Sequence, residues 1–313
     1  MKVLSLAQIK ERLKDIDLIA IIEDAFALYS RGKTVVPPVG ELLLPENKGE
    51  VHIKYGYIKN DDYYVIKIAS GFAENAKYGL ANNNGLMLVF SQKTGEVLAV
   101  LHDEGLLTDI RTAVAGAVAA KYLAPKNIKQ IGIVGTGVQA RLQLKYLQAV
   151  TSCRDVLVWG RGIEKLTAYK KDMQADFNIK TTLNAQDIAN NCNLIVTTTA
   201  SKTPLLFADD IQTGTHITAV GSDTVDKQEL DAKILAKADL VVVDSMEQCK
   251  MRGEASQALR AGLITTKDMI ELGNVVLAEA PKRRDDKQIT VADLTGVAVQ
   301  DIQITKAVLQ AYQ

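Results

Sequence analysis

Apolar and polar positions divide the chain into two parts that differ in predicted secondary structure. From Leu4 to Arg31, apolar residues recur on roughly one face of a helix, and a proline-containing run that must be extended or turning follows. Three strand-like stretches come next, at 51–57, 63–69 and 85–90, the last continuing past a short turn to Leu101. Turn residues separate them, so the first part is predicted to be rich in antiparallel sheet.

From Thr108 onward the pattern changes to short apolar strands that alternate with helices. An alanine-rich helix is predicted from Thr108-Asp109 to Pro125, and five strands follow, at 131–135, 156–160, 194–199, 216–221 and 240–244. Near-continuous runs of Val and Ile between helices are typical of a buried parallel sheet that is covered on both faces. The predicted fold class is therefore α/β, with a doubly wound parallel sheet of the Rossmann type beside a sheet-rich α+β domain.

The change of pattern also predicts the domain boundaries. Residues 113–290 form the doubly wound domain, and residues 1–112 together with 291–313 form the sheet-rich domain. A Leu-Thr-Gly break precedes a final helical segment, but spacing alone does not show that this helix crosses back. The last stretch is assigned to the sheet-rich domain because the family resemblance described below implies its return.

Composition narrows the classes of function. Lysine and arginine total 37, aspartate and glutamate also total 37, and the formal net charge is zero. This balance argues against nucleic acid or an anionic membrane surface as a partner, because both require a basic excess. No apolar run approaches the roughly 20 residues of a membrane span, and the charged N-terminal segment lacks the apolar core of a signal peptide. The three cysteines are widely spaced, which suits a reducing compartment, so we expect a cytoplasmic protein. Few cysteines and only three histidines also argue against a metal site.

The strongest local motif is a glycine-rich loop between a buried strand and a helix. Residues 135–140 read Gly-Thr-Gly-Val-Gln-Ala, a GxGxxA pattern. The first glycine permits the tight turn, the second lets the backbone approach a pyrophosphate, and the N-terminus of the helix favours the anion. Because further α/β units follow in order, the motif predicts a dinucleotide site rather than a glycine turn without a ligand. The cofactor-binding candidates in this loop are Gly135, Thr136, Gly137, Val138 and Gln139.

The end of the next strand bears on the choice between NAD and NADP. An NAD site usually ends this strand with Asp or Glu, whereas an NADP site accommodates the 2′-phosphate with Arg. This chain has Gly160-Arg161-Gly162 there, and Glu164 lies further on, within the helix. Arg161 is either a phosphate contact or a solvated surface residue. The missing carboxylate slightly favours NADP(H), so the predicted cofactor is NADPH or NADH, with Gly160, Arg161 and Thr198 as further contacts.

Four segments together resemble the ornithine cyclodeaminase/mu-crystallin family. They are Lys67 to Phe72, Leu107 to Ala113, the loop at 135–140, and 219–223 followed by 227–230, in the same order as in the family. The likeness covers the chain almost from end to end. It implies a dimer built by the N-terminal sheet domain, to which the last helix returns. It also implies an active site between that substrate-binding domain and the nucleotide domain.

The resemblance further implies roles for individual side chains. Lys67 matches a substrate-contacting lysine, Arg111 matches the arginine that holds the substrate carboxylate, and Asp223 matches the acid beside the reacting carbon. Asn82 and Lys227 match positions of cofactor contacts. Each residue also has an ordinary structural interpretation, as a strand-end charge, a helix-surface residue or a turn cap. The presence of all three catalytic candidates together favours the functional interpretation.

The chain also departs from the cyclodeaminase pattern. Cyclodeaminases usually carry another substrate-binding arginine before the first strands, but no arginine lies between Arg31 and Arg111. The run that is usually Gly-Asp-Cys-Pro-Gly-Lys is here replaced by residues 221–227, Gly-Ser-Asp-Thr-Val-Asp-Lys. Both departures weaken the interpretation as a cyclodeaminase.

A strand with alternating charges follows the segment from which the arginine is missing. Glu50, His52 and Lys54 alternate along the strand and therefore share one face. They either line the substrate pocket in place of the absent arginine, with Glu50 and Lys54 as substrate contacts, or form the solvated face of a half-buried sheet.

These residue types suit hydride transfer at a carbon that bears both a nitrogen and a carboxylate. The hypothesis is an NAD(P)H-dependent ketimine reductase, a homodimer that converts a cyclic imine acid such as Δ1-pyrroline-2-carboxylate to L-proline. The alternatives are an ornithine cyclodeaminase, an alanine dehydrogenase-like enzyme and a non-enzymatic mu-crystallin-like binding protein. The joint presence of Lys67, Arg111 and Asp223 argues against a purely binding role.

Overall fold

The computed structural model describes residues 1–311, which form two units. The first unit contains residues 1–111 and the stretch from Val297 onward, and the second contains residues 112–296. The strands are β1 (Lys2–Leu4), β2 (Thr34–Val35), β3 (Gly40–Leu44), β4 (Gly49–Ile58), β5 (Tyr63–Phe72), β6 (Asn83–Ser91), β7 (Val97–Leu101), β8 (Ile131–Val134), β9 (Asp155–Trp159), β10 (Asn178–Thr182), β11 (Leu194–Thr197), β12 (His216–Ala219), β13 (Leu240–Val243), β14 (Met269–Glu271) and β15 (Thr290–Asp293). The helices are α1 (Leu6–Leu13), α2 (Leu18–Ser30), α3 (Leu106–Leu123), α4 (Val138–Leu147), α5 (Ile163–Met173), α6 (Gln186–Asn191), α7 (Lys233–Lys237), α8 (Met246–Cys249), α9 (Gly253–Arg260), α10 (Leu272–Val276) and α11 (Ala298–Gln310).

The first unit is built on a mixed, mainly antiparallel sheet. Its strand order is β1-β7-β6-β5-β4-β2, β3 also pairs with β4, and only the β1–β7 pair is parallel. One face carries the buried side chains of Val65, Met87, Val89, Ala99 and Leu101, which are at most 1% exposed. Helix α11 packs against α2, β4 and β5. The C-terminal helix therefore belongs to the core of the unit that the N-terminal strands build.

The second unit is an eight-stranded sheet in which every strand pair is parallel. The order is β10-β9-β8-β11-β12-β15-β13-β14, so the chain winds outward from β8 first in one direction and then in the other. Strands β8, β11, β12, β13 and β15 are buried along their whole length, as expected for a parallel sheet that is covered on both faces. The predicted fold class, which combines a doubly wound parallel sheet with a sheet-rich domain, is confirmed.

The prediction of one N-terminal helix from Leu4 to Arg31 is wrong. Residues 2–4 are a strand, and two helices follow, because two polar side chains start new helices. The Ser5 hydroxyl accepts the Gln8 N–H, and Gln8 Oε1 in turn accepts the Ser5 N–H. The Asp17 carboxylate accepts the Ala20 N–H and caps α2. Such caps satisfy amide groups that a continuous helix would use internally.

Two predicted boundaries also need correction. Helix α3 begins at Leu106 rather than at Thr108, because the buried Asp103 carboxylate accepts the Leu107 N–H and caps the helix earlier. The predicted domain boundary at 290/291 would cut through β15, which lies between β12 and β13, so residues 291–296 lie in the second unit. Within residues 1–311, none of the helices combines the length and the apolar character needed to cross a bilayer.

Candidate active site

In the first unit, a buried carboxylate joins two of the predicted catalytic residues. Lys67 lies in the middle of β5, Arg111 lies in the second turn of α3, and Asp301 lies in the first turn of α11. Lys67 Nζ is 3.4 Å from Asp301 Oδ2, and Arg111 Nε donates to Asp301 Oδ1 at 2.9 Å. Lys67 is 2%, Arg111 4% and Asp301 0% exposed. Three distant segments of the chain thus place two cations around one anion.

A second buried lysine lies beside this cluster. Lys54 on β4 is the direct register partner of Lys67 on β5, so the two side chains leave the sheet on the same face. Lys54 is 8% exposed. Of the two interpretations of this strand, the structure therefore places Lys54 with the buried cluster rather than on a solvated face.

Burial and neighbouring charges set the protonation of Lys67. Burial lowers its pKa to about 7, Asp301 opposes this shift, and the positive charges of Arg111 and Lys54 add to it. Burial alone would raise the pKa of Asp301, but Arg111, Lys67 and Lys54 together hold it below its usual range. The Asp103 carboxylate is buried nearby, and burial and the charge of Asp301 raise its pKa. Asp301 is therefore the ionised partner, and Lys67 can gain or lose a proton near neutral pH.

The other charged residues of β4 form a separate group. His52 lies between two carboxylates, with Nδ1 at 3.8 Å from Glu41 and Nε2 at 3.7 Å from Glu50. The His52 side chain is 14% exposed, whereas the Glu50 side chain is 37% exposed. The predicted alternation of Glu50, His52 and Lys54 on one face is present, but burial increases along the strand towards Lys54. Asn82 lies exposed in the loop before β6, where its carbonyl accepts the Phe72 N–H at 2.7 Å.

The second unit forms the glycine-rich loop that the sequence predicts. Gly135 follows β8 with a φ of +125°, and a Cβ there would lie 2.6 Å from Thr198 Oγ1. Glycine is therefore required at this turn. Gly137 is the N-cap of α4, and a Cβ on it would meet no atom within 4 Å, so its open side can be approached by a ligand. Val138 and Gln139 form the first turn of α4, whose N-terminal amides favour an anion.

This loop opens onto a cleft with a volume of about 1090 Å³, which is large for a small-molecule site. The cleft lies at the carboxyl ends of β8, β9 and β11, where ligands bind in doubly wound sheets. Arg141 donates to the carbonyls of Thr136 and Gly137 and pairs with Asp172, which fixes the loop. The lining includes most of the predicted cofactor residues: Gly135, Thr136, Gly137, Gly160, Arg161 and Thr198. It also includes Arg141, Thr199, and Glu164 and Lys165 at the start of α5.

The predicted acid Asp223 lies in the loop after β12. Its Oδ1 accepts a hydrogen bond from Lys227 Nζ at 2.7 Å, and its side chain is 41% exposed. Lys227, predicted as a cofactor contact, is thus the ion-pair partner of Asp223 in the same loop. The backbone carbonyl of Asp223 accepts a 3.4 Å hydrogen bond from Arg252.

A buried glutamate that the sequence did not single out ties this loop to the cleft. Glu229 accepts the Thr199 N–H at 2.5 Å, the Thr197 hydroxyl at 2.7 Å and the Gly221 N–H at 2.9 Å. Burial raises its pKa to about 7 against the opposing effect of these hydrogen bonds. A Cβ on Gly221 would lie 2.2 Å from the Thr199 carbonyl oxygen, so the two loops are in direct contact.

Sequence reasoning missed three buried residues that hold these sites together, Asp301, Gln300 and Glu229. The first two lie in the first turn of α11, which the sequence predicts only as a returning helix, and Gln300 Oε1 accepts a hydrogen bond from Arg111 Nη1 at 2.9 Å. Their one visible signal is a Gln-Asp pair in the first turn of a helix whose other buried positions are mostly apolar. Lys67 and Arg111 are brought together in the first unit. One cleft in the second unit is lined by the predicted residues Gly135, Thr136, Gly137, Gly160, Arg161 and Thr198.

Solved structures of known proteins share the fold. The Delta(1)-pyrroline-2-carboxylate reductase of Thermococcus litoralis, in complex with NADH and L-proline, has a TM-score of 0.92 and 28% identity, and the match covers 99% of this chain and 97% of that one. An archaeal alanine dehydrogenase dimer with bound NAD has a TM-score of 0.90 and 32% identity over 99% and 95% of the two chains. The iminosuccinate reductase of Paracoccus denitrificans, in complex with NAD+, has a TM-score of 0.86 and 30% identity over 99% and 96%.

Sequence comparison identifies the family. The model of the ornithine cyclodeaminase/mu-crystallin family matches residues 1–313. A protein of Sinorhizobium fredii named an uncharacterized cyclodeaminase is 39% identical over 99% of this chain and 95% of its own length. The Delta(1)-pyrroline-2-carboxylate reductase of Bacillus cereus is 33% identical over 93% and 90%. The resemblance predicted from the motifs is thereby confirmed, and the chain belongs to the ornithine cyclodeaminase/mu-crystallin family.

Proposed function

We propose that this chain is an NAD(P)H-dependent reductase of a cyclic ketimine acid of the Δ1-pyrroline-2-carboxylate type. The observation that carries the proposal is the buried cluster in which Lys67 and Arg111 surround Asp301. It offers a rigid guanidinium for a substrate carboxylate and an amine whose pKa is about 7 for a proton. The similarity to reductases of pyrroline-2-carboxylate and iminosuccinate supports reduction of a C=N bond as the reaction.

The cleft of the second unit fits a dinucleotide. Its volume, the open side of Gly137 and the N-terminus of α4 suit a pyrophosphate, and a nicotinamide cofactor would supply the hydride. Gly135, Thr136, Gly137, Gly160, Arg161 and Thr198 would hold it, with Val138 and Gln139 at the helix start and Asn82 and Lys227 as further proposed contacts.

The residues of this chain would then orient the imine acid and move its proton. The guanidinium of Arg111 would hold the carboxylate through Nη2 and fix which face of the imine is presented. Lys67 in its ammonium form donates a hydrogen bond or a proton to the imine nitrogen. We assign Asp223 to the stabilisation of the protonated imine, and Lys54 and Glu50 to contacts with the remainder of the substrate.

The first test is a direct assay of the purified chain. We expect Δ1-pyrroline-2-carboxylate to cause loss of NADPH or NADH absorbance, with L-proline as the product. Arg111→Ala should reduce kcat/KM by at least about 100-fold, because a buried charge-assisted carboxylate contact is lost. Thr94→Asp, an exposed change in the β6–β7 turn, is the control and should retain the parent rate.

Other reactions of the family give different results in the same assay. Ammonia release from L-ornithine with catalytic cofactor would identify a cyclodeaminase, and cofactor oxidation only with pyruvate and ammonium would identify an alanine dehydrogenase. Tight ligand binding without any turnover would identify a binding protein. Each of these outcomes would overturn the proposed reduction of a cyclic imine.

For the cofactor, we propose a preference for NADP(H) that depends on Arg161. Arg161 and Lys165 line the cleft beside the end of β9, with Glu164 between them in sequence. Arg161→Ala should raise KM for NADPH about tenfold, as expected for the loss of one charged hydrogen bond, while KM for NADH changes little. Lys145→Ala on α4, which does not line the cleft, is the matched control. An unchanged ratio of the two KM values would contradict a phosphate contact.

The pH dependence tests the protonation of Lys67. If the reaction needs its ammonium form, kcat/KM falls as pH rises through a pKa near 7. The positive charge of Lys54 lowers that pKa and the negative charge of Asp301 raises it. Lys54→Met should therefore move the descending limb to higher pH, and Asp301→Asn should move it to lower pH, each by about one unit.

Rates measured from pH 5 to 10 with a saturating cofactor provide this comparison. If the descending limb of kcat/KM shifts in the same direction in both variants, or in neither of them, a group other than Lys67 titrates. The side chain of Arg111, the other charged group that shifts the pKa of Lys67, is the same in both variants.

We also propose that two copies associate through the outer face of the first unit's sheet. A row of side chains crosses that face on neighbouring strands: Val3, Val100, Leu88, Ile66 and Tyr55 are successive register partners. Val3 is 61% and Tyr55 39% exposed. Apolar sheet faces of this kind are usually covered, and the similar archaeal alanine dehydrogenase is a dimer.

The oligomeric state tests this interface. The parent chain should have the mass of a dimer by light scattering at micromolar concentration, and Ile66→Asp should give a monomer, because it places a charge inside the apolar row. Thr94→Asp carries the same new charge in an exposed turn and should remain dimeric. A monomeric parent, or a dimeric Ile66→Asp variant, would contradict this surface.

A further inference from the structure

The side chain of Gln300 is buried next to Arg111 but uses only half of its hydrogen-bonding groups. Gln300 is 0% exposed. Its Oε1 accepts Arg111 Nη1 at 2.9 Å and the Val297 N–H at 3.3 Å. Its Nε2 has no hydrogen-bond acceptor among residues 1–311. A buried amide nitrogen without an acceptor is costly, because it has lost its hydrogen bonds to water and gained none in the protein.

The two donors fix which end of the amide faces Arg111. A side-chain amide could in principle rotate and exchange its oxygen and nitrogen. Here the oxygen must face both Arg111 Nη1 and the Val297 N–H, because an NH2 group in its place would oppose two donors. The Nε2 group is therefore turned away from these two donors, although it shares a carbon with the oxygen that is hydrogen-bonded to Arg111.

The neighbouring groups indicate what kind of acceptor belongs there. Within residues 1–311, the hydrogen bonds of Arg111 use Nε and Nη1, so Nη2 is the nitrogen left for a ligand. Lys67 lies on the other side of Asp301. The donors of this cluster are an amide, a guanidinium and an ammonium, and such a set suits an anion with two planar oxygens.

We propose that Gln300 is a substrate-binding residue whose Nε2 donates a hydrogen bond to the carboxylate of the substrate. The inference rests on the proposed function, because it takes the carboxylate of a 2-imino or 2-amino acid as the ligand of Arg111. It assigns α11 a second role besides holding Asp301 in place. The first turn of the C-terminal helix then selects for a carboxylate next to the reacting carbon.

Two substitutions separate binding from support of Arg111. Gln300→Glu keeps an oxygen for Arg111 and for the Val297 N–H but replaces the Nε2 donor by an anionic oxygen. Gln300→Met removes both groups. If Gln300 binds the substrate, both variants should weaken binding of a 2-carboxylate by about 10- to 100-fold. If it only supports Arg111, Gln300→Glu should resemble the parent and Gln300→Met alone should lose affinity.

The measurement is calorimetric binding of pyrrole-2-carboxylate, L-proline, L-ornithine and L-alanine to the cofactor-saturated protein, together with KM and kcat for whichever substrate turns over. We expect KM to rise more than kcat falls, and the affinity for the cofactor to stay constant. Gln303→Glu introduces the same charge one turn further along α11, where Gln303 contacts Asp24, and should bind the carboxylates as the parent does.

Failure of this inference differs from failure of the proposed function. A parent that does not reduce Δ1-pyrroline-2-carboxylate but binds one of the other acids contradicts the proposed reaction, and Gln300→Glu still tests the contact with that acid. Equal affinity of the parent and Gln300→Glu overturns the inference, as does a parent that binds none of the four carboxylates. Retained secondary structure and an unchanged cofactor affinity show that each variant is folded.

Discussion

The buried charge of Asp301 is the constraint on which the first unit depends. Removing Lys67 and Arg111 from water is costly unless an anion compensates them, and Asp301 lies within 3.4 Å of both. The three side chains come from β5, α3 and α11, so compensation requires the C-terminal helix to return to the N-terminal sheet. The contact that stabilises the fold is therefore also the contact that orders the candidate site.

The candidate ligand site of the second unit is formed mainly by backbone groups, whereas that of the first unit is formed by ionised side chains. Gly135 and Gly137 leave the loop open for a ligand, and Arg141 holds the loop through hydrogen bonds to the carbonyls of Thr136 and Gly137. The Glu229 carboxylate accepts hydrogen bonds from the N–H groups of Thr199 and Gly221. These two bonds join the wall of the cleft to the loop that carries Asp223. A shift in either loop would leave a buried carboxylate without its donors, so their relative positions are strongly constrained.

The features that depend on a local sequence pattern could be predicted, whereas contacts between residues far apart in the chain could not. Buried Val and Ile runs identified the parallel sheet, and GxGxxA identified the loop at 135–140, because both signals lie within a few residues. Asp301 and Gln300 escaped notice because a Gln-Asp pair early in a helix is also an ordinary N-terminal feature. Their role follows from a contact with a residue about 190 positions away. The split of the N-terminal helix was missed for a related reason, since the caps at Ser5 and Asp17 interrupt an apolar pattern that continues across them.

Lys54 adds a physical reason for regarding the cluster as proton-transferring rather than only as binding. A lysine paired with a carboxylate usually stays protonated, because the anion raises its pKa. Here burial, Arg111 and Lys54 outweigh Asp301, and the pKa of Lys67 lies near 7. Under the proposed function, a substrate carboxylate bound to Arg111 brings a second negative charge towards Lys67 and raises its pKa again. Binding of the acid would then itself favour the ammonium form that an imine requires, so recognition of the carboxylate and delivery of the proton are linked through the same few charges.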